Sequence, residues 1–148
     1  MAKQSPSEAL LVQHRLPVPP EKVFEAFTDP KRLAKWFAPT DEMTTVVHEL
    51  DPRVGGRYRL DMVGPGGSPV YKLSGVYQEL SKPRLLLFTW QWEHEPEEET
   101  LVRIELTPAK GGCELVLTHE RFLSAESKKG HAEGWEGCLA RLPKAVGA

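Results

Sequence analysis

The sequence predicts an α+β domain in which a curved antiparallel sheet is closed by a long C-terminal helix. Three observations carry this. Strand-like runs are grouped together with helical patterns at both ends, whereas a parallel sheet would alternate them. Prolines and glycines fall between those runs, leaving the short connections of an antiparallel meander. The length, 148 residues, is that of one domain able to build a core without disulfide or metal staples.

Residues 1–9 read as a flexible arm and 10–148 as the single domain. Leu10, Val12, His14 and Leu16 alternate with Leu11, Gln13 and Arg15, which predicts a first strand. Pro17-Val18-Pro19-Pro20 stops it and starts a short helix to about Phe27, because the first helical turn tolerates a missing N–H. Asp29 then caps and Pro30 opens a second short helix that puts Leu33, Trp36 and Phe37 on one face. Six strands follow, at about 43–50, 56–63, 70–80, 84–92, 100–107 and 113–122. Pro52, Pro65, Pro69, Pro83, Pro96 and Pro108 all lie between these runs, as expected of a residue that removes a ladder donor. The acidic stretch Glu93–Glu99 reads as a solvated hairpin loop. Ser124 caps the last helical region, with Gly130 marking a break before its main part. Trp135, Leu139, Leu142 and Val146 form its apolar stripe. Gly134 and Gly137 are costly inside a helix, so the helix either packs very close to something there or is mobile.

Strand parity separates a filled face from a wet one. Leu86, Phe88, Trp90 and Trp92 share one face, as do Tyr58, Leu60 and Met62, and Tyr71, Leu73, Gly75 and Tyr77. Leu115, Leu117, His119 and Arg121 share another such face. Aromatic groups with a few polar tips are what a ligand pocket uses. The candidate ligand-binding residues are Trp36, Phe37, Tyr58, Tyr71, Phe88, Trp90, Trp92, His119, Arg121 and Trp135. Arg121, with His119, is the candidate holder of an anionic head group at the pocket mouth, because a buried arginine must be paired or reach water.

Nineteen basic residues against 21 acidic ones give a formal charge of −2, which offers no electrostatic reason to bind nucleic acid or an anionic membrane. No apolar run approaches the length of a membrane span, and the N-terminus lacks the apolar core of a signal peptide. A cytoplasmic setting with free thiols at Cys113 and Cys138 is the expectation. There is no P-loop, no G-x-G-x-x-G, no G-x-S-x-G and no H-E-x-x-H. The five histidines lack metal-ligand spacing, so neither a metal nor a cofactor is expected, and no catalytic residue is assigned.

A set of ordered segments resembles the Aha1-like (activator of Hsp90 ATPase homologue) branch of the START/Bet v 1-like (SRPBCC) superfamily. The segments include Val18–Phe27 with Thr28–Pro30, Leu33–Phe37 with Pro39, Asp51–Arg57, Gly75–Leu80, Leu87–Trp90, Leu101–Pro108, Leu115–Glu120 and Gly134-Trp135. The resemblance implies a helix-grip fold, with the sheet wrapped around the C-terminal helix and a cavity between them. It fixes little chemistry, because fold does not fix function. The eukaryotic Hsp90 activator carries a second, N-terminal domain, and only eight or nine residues precede the first strand here, so Hsp90 activation is not expected.

The leading functional reading is non-enzymatic binding of a hydrophobic or amphipathic small molecule in the helix–sheet cavity. A protein-interaction module, co-chaperone or stress-related, with a filled cavity is the second. A cyclase- or hydrolase-type enzyme using a pocket histidine or carboxylate is the third. A protein partner and a homodimer are both compatible with the sequence.

Overall fold

The computed structural model describes residues 9–147, so the expected arm, apart from its last residue, lies outside the described residues. The strand Leu10–Leu16 (β1) is followed by the helices Pro20–Thr28 (α1) and Pro30–Trp36 (α2). Six strands come next: Thr44–Leu50 (β2), Arg57–Val63 (β3), Val70–Ser81 (β4), Leu85–Trp92 (β5), Glu99–Ala109 (β6) and Gly112–Glu120 (β7). A single long helix, Ala125–Ala145 (α3), closes the chain. All strands join one antiparallel sheet in the order β1-β7-β6-β5-β4-β3-β2. The meander from β2 to β7 and the helical ends match the α+β, helix-grip architecture.

Local chemistry sets the boundaries. Asp29 caps α2, its side chain accepting from the backbone N–H of Lys31 at 2.9 Å and of Arg32 at 3.4 Å. Asp29→Ala is expected to cost about 1 kcal/mol and to lower the melting temperature by about 3 °C. Thermal unfolding followed by circular dichroism checks this, and an unchanged midpoint would remove the cap from the account. Bulges between Val47 and Glu49 and between Tyr77 and Glu79 bend β2 and β4.

Three boundaries differ from expectation. Pro108 lies inside β6, not beyond it, opposite Cys113. The pairing of β5 with β6 ends at Glu105, so the missing proline donor faces no strand. β7 stops at Glu120, and Arg121 adopts φ 77°, which turns the chain away from the inner face. The expected break at Gly130 is absent, because α3 runs through it without interruption.

One continuous core joins both layers. Leu139 and Leu142 of α3, Leu115 and Leu117 of β7 and Ile104 of β6 are fully buried. Gly137 explains part of the glycine pattern: an added Cβ would stand 2.1 Å from the carbonyl oxygen of Pro39. The helix therefore lies directly on the loop after α2. That loop is pinned further by Thr45 Oγ1 donating to the carbonyl of Phe37 and by Arg141 pairing with Asp41.

Candidate functional site

The sheet and α3 do not meet along their whole length. A cavity of about 660 Å³ opens between the N-terminal half of α3 and the sheet. Its apolar wall is Trp90 and Trp92 of β5, Trp135 of α3, Tyr71 of β4, Met62 of β3 and Met43 before β2. Two glycines one turn apart, Gly130 and Gly134, line the helical side, and a Cβ at either would meet nothing within 4 Å. Their absent side chains leave the space open.

Three of the four indole N–H groups are fixed by hydrogen bonds. Trp135 Nε1 donates to His119 Nδ1 at 2.9 Å, and His119 Nε2 lies 2.7 Å from Thr100 Oγ1. An indole only donates, so Nδ1 of His119 must accept and its proton sits on Nε2. Thr100 Oγ1 then accepts from His119 and donates to the carbonyl of Trp90 at 3.1 Å. Burial, with His131 beside it, holds the His119 pKa well below its ordinary value, so the ring is neutral. Trp92 Nε1 donates to His131 Nε2 at 3.0 Å, which leaves His131 Nδ1 to donate to the carbonyl of Ser127 at 2.8 Å. Trp36 Nε1 donates to the carbonyl of Ala26 at 2.9 Å, away from the cavity. Trp90 Nε1 has no partner among the described residues, although the residue is only 5% exposed.

The mouth is polar. Glu95 of the β5–β6 hairpin and Glu126 and Glu133 of α3 line it, with Ser124, Ser127 and His94. Glu98 shows that the acidic hairpin is not wholly solvated: it is 5% exposed and accepts from Leu123 N and Ser127 Oγ, both at 2.8 Å. Its carboxylate is drawn in by donors at the start of α3. Cys138 lines the cavity as a free thiol whose pKa burial pushes up to about 12, so it stays protonated. Cys113 is likewise a free, buried thiol. Among the described residues no three His, Cys, Asp or Glu side chains stand together as a metal site. No helix there is long and apolar enough to cross a membrane.

A family model described as activator of Hsp90 ATPase homolog 1-like protein matches residues 17–147. The chain belongs to this family. Family members in the SRPBCC superfamily share the helix-grip architecture found here. Among solved structures, a protein from Chromobacterium violaceum is similar at 27% identity, with a TM-score of 0.85 and coverage of 95% of this chain and 99% of that one. A protein from Rhodobacter sphaeroides is 23% identical, with a TM-score of 0.81, covering 97% of this chain and 95% of its own. The AHSA1-like protein from Aeromonas hydrophila is 21% identical, with a TM-score of 0.76 over 94% of this chain and 92% of its own. No curated protein matches the sequence.

On this family scaffold the candidate residues divide. Tyr71, Trp90, Trp92 and Trp135 come together around the cavity. Trp36, Phe37, Tyr58 and Phe88 belong to the closed end of the core. There Phe37 packs edge-on against Trp90 and Trp135, and Tyr58 donates to the carbonyl of Thr89 at 2.5 Å. His119 is 0% exposed and sits behind the wall, where it orients Trp135. Arg121 lies outside the cavity with its side chain 61% exposed, and its guanidinium stands 3.9 Å from the Glu120 carboxylate. Parity would have aimed it inward, but β7 has already ended. Sequence reasoning passed over Met43, His94, Glu95, Glu126, Ser127 and His131 as site residues. His131 had a signal: it stands four residues before Trp135, on the same helical face.

Proposed function

We propose that this family member binds a hydrophobic or amphipathic small molecule in the cavity between α3 and the sheet, without chemical turnover. The observation that carries the reading is the open, tryptophan-lined space of about 660 Å³. Its size is that of typical small-molecule sites, and its mixture of aromatic wall and polar mouth is theirs as well. An interaction module with a side-chain-filled cavity finds less support, because Gly130 and Gly134 keep the helical wall clear. An enzymatic reading that used His119 finds none: its ring nitrogens are both engaged by protein groups, and the ring is neutral and sealed from the cavity.

Tryptophan emission tests this reading. Titration with medium-chain alcohols, sterols, fatty acids and aromatic amines is expected to give a saturable change for at least one class. Gly134→Phe, which places a ring in the open space, is expected to abolish that change while the protein remains folded. Emission that no class alters would count against ligand binding.

A further inference from the structure

We propose that the cavity selects a hydrophobic amine, an apolar body carrying a protonated nitrogen, over the corresponding carboxylic acid. The inference rests on the ligand-binding reading above and reverses the anionic head group that Arg121 had suggested. Glu95, Glu126 and Glu133 line the mouth, and among the described residues no lysine or arginine does. Neither Glu126 nor Glu133 has a Lys, Arg or His partner within ion-pair distance among the described residues. Among the described residues Glu95 is paired only with His94, at 3.7 Å. The start of α3 would ordinarily favour an anion. Here that place is already taken by the Glu98 carboxylate, held by Leu123 N and Ser127 Oγ, and by the Ser124 side chain, which accepts from Ser127 N. The aromatic wall adds to the preference, because the faces of indole and phenol rings attract cations.

The Trp90 side chain forms part of that aromatic wall. Its indole N–H is buried and unpartnered, whereas burying such a donor without an acceptor is costly. The acceptors around it are used: His119 Nδ1 by Trp135, His131 Nε2 by Trp92, and its own carbonyl by Thr100. With that N–H itself closed off from open space, the wall offers the amine its ring faces and not a hydrogen-bond donor.

Three matched compounds test this by isothermal titration calorimetry: 2-(1-naphthyloxy)ethylamine, 2-(1-naphthyloxy)ethanol and (1-naphthyloxy)acetate. The amine is expected to bind about tenfold more tightly than the acid, a difference of about 1.4 kcal/mol, with the alcohol between them. The preference is expected to shrink with added salt. In the double variant Glu126→Gln, Glu133→Gln, it is expected to fall to about threefold or less, while an unchanged circular dichroism spectrum and melting temperature report an intact fold. Acid binding as tight as amine binding, or a full preference retained in the double variant, would overturn the inference and leave the ligand-binding reading standing. Binding of none of the three would overturn this inference, and a silent emission titration beside it would remove the ligand-binding reading too.

Discussion

Replacing His119 with Phe is expected to destabilise the protein by about 2–3 kcal/mol, because it removes two hydrogen bonds and orphans a buried indole donor. For a domain of this size the melting temperature falls by about 8 °C. Phe keeps the ring volume among Trp90, Phe122 and His131, whose centroids lie 5.3, 4.6 and 5.0 Å away, so the loss reports the hydrogen bonds and not a cavity. The same residue gives a pH signature. Its pKa is held down in the folded state, so the unfolded chain binds the proton more readily. Stability from this group is present above the ordinary value of 6.5 and is lost as the pH falls below it. Urea denaturation between about pH 7 and pH 5 is expected to show a shallower acid loss in the Phe variant than in the parent. Equal stability of the two proteins at pH 7 would mean that the Trp135–His119–Thr100 chain contributes nothing.

Two glycines in one helix are expected to respond in opposite directions. Gly134→Ala is expected to stabilise by up to about 1 kcal/mol, since helix propensity favours Ala and the new methyl meets nothing within 4 Å. Gly137→Ala is expected to destabilise by about 1–3 kcal/mol despite the same gain in propensity. Its methyl would stand 2.1 Å from the Pro39 carbonyl, a backbone atom that moves only if the loop after α2 moves. Pro39 also lines the cavity, so the Gly137 variant is expected to weaken ligand binding as well. Chemical denaturation of both variants decides the matter, and a stabilised Gly137→Ala protein would contradict the close helix–loop contact.

The contrast between these glycines marks how far the sequence could be read. Element order, strand parity and the Asp29-Pro30 start were legible, because each rests on local backbone chemistry or on a period of two or 3.6 residues. Trp90, Trp92 and Trp135 were legible as inward-facing groups for the same reason. Parity failed at Arg121, because it holds only while the strand lasts, and φ 77° at that residue ends it. The partners of Glu98 and His119 became legible only in three dimensions. They lie 25 and 16 residues away or more, and nothing local in a run of glutamates shows which one is drawn beneath a helix. Charge at the cavity mouth was likewise hidden, because Glu95 comes from a hairpin and Glu126 and Glu133 from a helix.

The indole N–H signals in a two-dimensional 1H–15N NMR spectrum test the cavity most directly. The sequence has four tryptophans, of which Trp90, Trp92 and Trp135 line the cavity and Trp36 is bonded to Ala26 on the far side of the core. Titration with 2-(1-naphthyloxy)ethylamine is expected to shift the three cavity signals saturably and to leave Trp36 in place. Three unmoved cavity signals at saturating amine, or a Trp36 signal that moves as far as theirs, would contradict a binding site between the helix and the sheet.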